Sequence, residues 1–154
     1  MERRQPEPTQ RRITACHEAG HGLVARVLRV TVLRIDINHA DERNIGLTRT
    51  DARENQYHEK AVIARGGTQA ELQTFGEILS GENHALDVSG IADNDARCTN
   101  CGTDESAVKS AHDSLARSII KNHSVELCNL ADTLFSKGVL EGNEEIDKAM
   151  RGDN

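Results

Sequence analysis

A stretch of helical periodicity near the N-terminus constrains the fold of this chain more than any other feature. Over residues 11–28 the apolar side chains recur every three or four positions, which predicts one continuous helix with a buried face. Thr9 stands where the N-cap of that helix is expected. Because Phe75, Phe135 and Tyr57 are the only aromatic residues, the core has to be built from aliphatic side chains, which favours packed helices.

The rest of the sequence predicts a mainly α, α+β domain with a small β-ribbon. Residues 30–37 alternate and are rich in β-branched side chains, and residues 46–50 are expected to form a second strand after a polar turn at 38–44. Helical spacing returns over 54–75. Residues 76–92 are predicted to be a glycine-bearing loop, followed by a short helical segment after 93 and by helices over 105–122, 123–136 and 143–150.

Length and composition fit one domain without affinity for nucleic acid or membrane. We assign residues 9–154 to the domain and residues 1–8 to a flexible lead-in. A net charge of −6 argues against phosphate binding. No apolar run is long enough to cross a bilayer, and the first residues lack the apolar segment of a secretory signal. We therefore expect a cytoplasmic protein with reduced cysteines.

The first predicted helix contains the sequence His17-Glu18-Ala19-Gly20-His21. Residues four apart on a helix lie about 40° apart on the same face, so both imidazoles can bind one Zn²⁺ ion. Glu18 lies about 100° round the helix from His17, beside the pair, where it can act as general base on a water molecule.

This composition yields about 0.03 matches to H-E-x-x-H by chance, so the motif favours zinc over two partly buried polar histidines. The motif supplies two ligands, whereas catalytic zinc usually has three from the protein.

The segments around the motif resemble the peptidase domain of the FtsH-type, AAA+ associated, ATP-dependent zinc metalloproteases. Residues 15–25 (ACHEAGHGLVA) resemble the zinc helix of that family, and VTVLRIDI with GLTRT resembles its strand pair. Residues 66–76 (GGTQAELQTFG) are similar to its glycine-glycine helix, and the last segment is similar to its C-terminal helix pair. The resemblance implies a zincin-like helical domain, a Zn²⁺ cofactor and hydrolysis of peptide bonds in polypeptides or peptides.

The resemblance also implies that an aspartate in an Asn-Asp sequence is the third zinc ligand. Matching that dipeptide selects Asp95, with one residue inserted after Gly90. Matching without a gap places Asn94 there, and Asn is a poor zinc ligand, so Asp93 is the alternative. We favour Asp95, while noting that both aspartates could simply cap a helix. By the same resemblance Glu71 would orient a ligand imidazole, or else be an ordinary solvent-facing glutamate.

The chain departs from that family in having no G-x-x-x-x-G-K-[ST] sequence for an ATPase, and we also expect no membrane anchor. A separate AAA+ ATPase or a homo-oligomer is therefore an expected partner. The alternative to a metalloendopeptidase is a non-catalytic module that keeps the protease fold and binds peptides or a partner.

Cys98-x-x-Cys101 could be half of a structural zinc site or a redox pair, but ordinary packing cysteines are the favoured interpretation. A further hypothesis places Cys98 on the histidine-bound metal if the aspartate is displaced.

Overall fold

A computed structural model describes residues 8–38, 46–99 and 104–153. Within residues 82–89 it describes the backbone and only one side chain, that of Asp87. The predicted lead-in at 1–8 lies outside the described residues except for residue 8, and the predicted turn at 38–44 lies outside them except for residue 38. Cys101 also lies outside them.

The described residues form a mainly helical domain with one small antiparallel sheet, as predicted. Every helix among these residues is too short or too polar to cross a membrane. The elements in chain order are α1 (Gln10–Val27), β1 (Val32–Asp36), β2 (Leu47–Thr50), α2 (Tyr57–Phe75), α3 (Glu82–Thr99), α4 (Glu105–Asn122), α5 (Ser124–Lys137), β3 (Val139–Glu141) and α6 (Gly142–Met150).

Helix α1 lies in the middle of the domain, packed against α2, α5 and the sheet. The Thr9 side chain accepts a hydrogen bond from the backbone N–H of Arg12, which confirms Thr9 as N-cap. Every residue from 13 to 25 is buried. The polar motif of α1 is therefore inside the protein, where each of its donors and acceptors needs a partner.

Three glycines allow α1 and α2 to approach at backbone distance. A Cβ atom on Gly20 would lie 2.2 Å from the carbonyl oxygen of Gly66, and one on Gly67 would lie 2.4 Å from Nε2 of His17. The pair Gly66-Gly67 is thus explained by close packing, and α2 runs through it without a break. This contact places α2 side chains directly against the histidines.

The sheet has the order β2-β1-β3, and β1 is antiparallel to both neighbours. Val32 and Ile35 of β1 are fully buried in the aliphatic core. Gly46 precedes β2 and lets this strand approach α1, because a Cβ atom there would lie 2.6 Å from Cγ of Glu18. Strand β3 was not predicted, since its three residues are too few to show a period.

Helix α3 corrects the prediction of a loop over 76–92. The helix begins at Glu82 and continues to Thr99, with Gly90 in its interior. A Cβ atom on Gly90 would have no described atom within 4 Å, so this glycine costs the helix only its intrinsic propensity, about 1 kcal/mol relative to Ala. Packing of α3 on α2 and α4 outweighs that cost.

The C-terminal elements agree with the predicted helices to within one residue at each end. Helices α5 and α6 close the core beneath α1 with buried leucine and isoleucine side chains. The core cluster contains no aromatic residue among its buried members, and Phe75 packs against it from a partly buried position. The prediction of an aliphatic core is therefore confirmed for the described residues.

Candidate metal centre

The two motif histidines meet at their Nε2 atoms inside the domain. His17 is 0% exposed and His21 is 7% exposed. Their Nε2 atoms lie 3.1 Å apart, and their ring planes are inclined at 75°. This convergence follows from the four-residue spacing on α1, as the sequence predicts.

Each histidine uses its other ring nitrogen as a hydrogen-bond donor. Nδ1 of His21 lies 2.7 Å from the carbonyl oxygen of Ile63, which can only accept, so this nitrogen carries the proton of the neutral ring. Nδ1 of His17 lies 2.6 Å from Oε2 of Glu71 and donates to that carboxylate. When both rings are neutral, each Nε2 atom therefore carries a lone pair and no proton. The two lone pairs then point toward each other.

Glu71 occupies the supporting position that the resemblance implies. Its side chain is fully buried, and Oε1 accepts hydrogen bonds from the backbone N–H groups of Leu79 and Ser80 at 2.8 and 2.7 Å. Burial alone would raise the pKa of Glu71, but the hydrogen bonds from His17 and Ser80 outweigh burial and lower it. Glu71 is therefore an ionised group that fixes the ring orientation of His17.

Asp87 of α3 completes the convergence, and the sequence patterns did not reveal it. Its Oδ2 atom lies 2.6 Å from Nε2 of His17 and 3.2 Å from Nε2 of His21. Burial opposes ionisation, yet hydrogen bonds with both histidines lower the pKa of Asp87 to about 2. The one signal for this residue in the sequence is its type, because Asp87 is the only carboxylate between residues 83 and 92. Because the sequence predicts a loop over 76–92, it places Asp87 on no helix that faces the histidines.

The structure does not bring Asp95 to the histidine pair, which corrects the assignment of the third ligand. Both oxygens of Asp95 are bound to the Arg65 guanidinium, at 3.0 and 2.5 Å, and Oδ1 also accepts from Nδ1 of His112 at 2.7 Å. Asp93 is exposed and pairs with Arg97. Since eight helical residues span about 12 Å, Asp87 and Asp95 cannot reach the same point.

Glu18 lies beside the histidines at the wall of a cavity, as the motif predicts. The cavity has a volume of about 290 Å³, and its lining includes His21, Thr48, Lys60 and Asp87. Oε2 of Glu18 accepts a hydrogen bond of 2.5 Å from the Thr48 hydroxyl of β2. Strand β2 therefore holds the Glu18 carboxylate in place at the edge of an accessible space.

The electrostatics of the centre call for a positive charge. Burial would lower the pKa of His17, but hydrogen bonds to Asp87 and Glu71 outweigh it and raise that pKa to about 10. Without a metal ion a proton therefore sits among these carboxylates and ring nitrogens. A divalent cation could take its place, as the chemistry of the donor atoms allows.

The donor geometry also fits a small divalent cation. Ligand atoms of a tetrahedral Zn²⁺ ion, each about 2.0–2.1 Å from the metal, lie about 3.3 Å apart. Two of the separations here, 3.1 and 3.2 Å, are close to that value, whereas the 2.6 Å between Nε2 of His17 and Oδ2 of Asp87 is a hydrogen-bond distance that would lengthen around a metal ion. Glu18 adds a carboxylate oxygen, and its ligand atom and those of the two histidines lie within 4.8 Å of one another. The centre is thus one that could hold a metal ion.

A buried H-E-x-x-H helix that meets a carboxylate from a neighbouring helix defines this protein as one with a candidate metal centre. No family model matches the chain. Over 86 residues the chain is 38% identical to the ATP-dependent zinc metalloprotease FtsH of Pelobacter propionicus, a match that covers 47% of this chain and 13% of that protein. The match supports a relation to FtsH, although this chain corresponds to only 13% of the length of that relative.

Proposed function

We propose that the chain is a zinc metalloendopeptidase domain that hydrolyses peptide bonds in unfolded chains or short peptides. The observation that carries this proposal is the convergence of Nε2 of His17, Nε2 of His21 and Oδ2 of Asp87, atoms that bear lone pairs when both rings are neutral, while Nδ1 of each ring donates to a group of α2. The relation to FtsH supports the same metal and the same reaction.

In this proposal His17, His21 and Asp87 hold the zinc ion. A bound Zn²⁺ ion supplies Lewis acidity, which polarises a carbonyl group and lowers the pKa of a water molecule. Glu71 and the carbonyl group of Ile63 keep both imidazoles in the tautomer that a metal requires. Each imidazole is thus oriented by a second group that belongs to α2.

Glu18 is the proposed general base. Its carboxylate takes a proton from the attacking water in the cavity and later passes that proton to the leaving amine. The Thr48 hydroxyl occupies one lone pair of Oε2 and so orients the carboxylate for this transfer. The short distance between α1 and β2 at Gly46 makes that hydrogen bond possible.

Strand β2 is the proposed binding edge for substrate. It lies at one end of the described sheet, and Leu47, Thr48 and Thr50 line the cavity. An extended peptide can add to an exposed strand edge through main-chain hydrogen bonds. Because that mode needs an unfolded segment, a separate AAA+ ATPase or a homo-oligomer is the proposed partner for folded substrates.

The substitution Glu18→Gln tests the proposed reaction. Gln keeps the shape of the side chain and can still accept from Thr48, but it cannot take a proton. We expect kcat on an unfolded fluorescent protein substrate to fall by about 100-fold or more, with the zinc content unchanged. Glu126→Gln, on the exposed surface of α5, is the matched control. Equal activity of the Glu18→Gln variant and the wild type would overturn Glu18 as general base, and the absence of zinc-dependent activity from both would favour a non-catalytic peptide-binding module.

A further inference from the structure

A second cluster of metal-ligating side chains lies where α2, α3 and α4 meet. It consists of His58 at the start of α2, Cys98 near the end of α3 and His112 in α4. One ligand atom from each of these residues lies within 4.8 Å of the other two. None of the three belongs to the centre around His17, and the structure does not bring Cys98 to that centre.

The cluster combines one exposed and two buried ligands. His58 is exposed, whereas Cys98 is 8% exposed and His112 is 5% exposed. Nδ1 of His58 lies 3.0 Å from Nε2 of His112, and the two rings are inclined at 71°. Both imidazoles also line an apolar cavity of about 490 Å³. The buried ligands are therefore held by packing, while His58 has room to adjust.

Asp95 fixes the tautomer of His112. Nδ1 of His112 donates to Oδ1 of Asp95 at 2.7 Å, so Nε2 of the neutral ring bears a lone pair directed at His58. Two hydrogen bonds from Arg65 hold Asp95 in turn. A carboxylate that accepts from the outer nitrogen of an imidazole is the usual support of a metal-bound histidine.

We propose that His58 Nδ1, His112 Nε2 and the Cys98 thiolate form a binding site for Zn²⁺ or a similar transition-metal cation. Two imidazoles and one thiolate are a donor set that zinc prefers, with a fourth position left for water. Donor atoms of such a site are about 3.3 to 3.6 Å apart. The 3.0 Å between Nδ1 of His58 and Nε2 of His112 is close to this range, and the ligand atoms of all three residues lie within 4.8 Å of one another, so shifts of about 1 Å are enough to reach it.

The proton balance of binding is simple. The Cys98 thiol loses its proton to solvent when the metal–sulfur bond forms. His58, if neutral, moves its proton from Nδ1 to the exposed Nε2 atom with no net release. A bound cation would then replace the single hydrogen bond between the two rings and link three helices, including α3, which carries Asp87.

Titration of the metal-free, reduced protein with Co²⁺ tests this site separately from the centre around His17. A Co²⁺–thiolate bond gives a charge-transfer band in the near ultraviolet, whereas His17, His21 and Asp87 offer nitrogen and oxygen atoms only. We expect this band in the wild type and its loss in Cys98→Ser. His58→Gln, at an exposed position, should weaken binding at least about tenfold without disturbing the fold. Circular dichroism would verify that each variant is folded.

Cys128→Ser is the matched control, because Cys128 is an exposed thiol on α5. This variant should keep the band at full intensity. Elemental analysis should find two zinc equivalents per wild-type chain and one in Cys98→Ser. Absence of the band from the wild type, or its persistence in Cys98→Ser, would overturn the proposal. Since Glu18→Gln addresses peptidase activity alone, the two proposals can fail independently.

Discussion

At the scale of single residues, the centre is defined by what surrounds His17. Its ring lies between two ionised carboxylates, Glu71 at Nδ1 and Asp87 at Nε2. Two anions at one buried imidazole are unfavourable unless a cation is shared among them. The same residues therefore disfavour an empty neutral site and favour either a proton or a metal ion.

Asp87 should be essential for zinc binding by this centre. We expect Asp87→Ala to weaken zinc binding by more than about 100-fold, because the carboxylate is the third donor of the set. The measurement is a zinc competition titration in the Cys98→Ser background, so that one site is observed. Asp93→Ala removes an exposed carboxylate from the same helix and should bind zinc like its parent. Equal affinity of the two variants would exclude Asp87 as a ligand.

Asp95 should matter for stability. Its carboxylate is fully buried against Arg65, whose side chain is 3% exposed. Asp95→Ala leaves that guanidinium partly unpaired, with the half-exposed Asp113 as a charged partner and the carbonyl group of Ala61 as a neutral one. We expect the free energy of unfolding to fall by about 3 kcal/mol or more, as measured by urea denaturation. A loss within about 0.5 kcal/mol, similar to that of a surface substitution, would contradict this account.

At the scale of elements, the contact between α1 and α2 determines the position of the supporting groups. Both Glu71 and the carbonyl group of Ile63 reach the histidines from α2. The backbones of Gly20 and Gly66 touch at the crossing, so the distance between the helices is fixed by atoms that cannot rotate away. The precision of the centre thus depends on small residues that take no part in chemistry.

Gly20→Ala should therefore destabilise the domain. The new Cβ atom would meet the Gly66 carbonyl oxygen at 2.2 Å, and relief requires the two helices to separate. We expect a loss of about 1–3 kcal/mol in the free energy of unfolding. Gly90→Ala in α3 is the control, since no described atom lies within 4 Å of its new Cβ, and it should stabilise by up to about 1 kcal/mol. Equal effects of the two substitutions would refute the close-contact explanation.

The elements also explain which parts of the site the sequence could predict. His17, Glu18 and His21 share one helix, so local periodicity is enough to place them on one face. Asp87 reaches them through tertiary packing of α3, and the local signal of α3 is weakened by Gly81 and Gly90. Asp87 and Asp95 lie about two turns apart on this helix. A local sequence pattern cannot show which of these two aspartates faces the histidines.

At the scale of the whole molecule, α3 connects the two proposed metal sites. Asp87 lies near its beginning and Cys98 near its end, and Asp95 between them is anchored to α2 and α4. Ligands that bind the folded state stabilise it to an extent set by their affinity and concentration. Metal ions at either site would therefore strengthen the packing of α3 against the helices that hold the histidines.

Removal of zinc should make the stability of the domain depend on pH in the alkaline range. The pKa of His17 rises from its ordinary value of 6.5 to about 10 without a metal ion. A raised pKa in the folded state gives a stabilisation that is fully present below about pH 6.5 and lost as the pH rises through about 10. In the zinc-loaded protein the cation takes the place of that proton, so this loss should not occur.

The comparison is best made in the Cys98→Ser background, with urea midpoints measured at about pH 6 and about pH 9.5. We expect the metal-free protein to lose stability between these values and the zinc-loaded protein to lose much less. His123→Gln, which changes a partly exposed histidine between α4 and α5, should leave both results unchanged. A metal-free protein with a flat pH profile would mean that no proton is held between Glu71 and Asp87. The two carboxylates would then tolerate a neutral His17, and the centre would not require a cation.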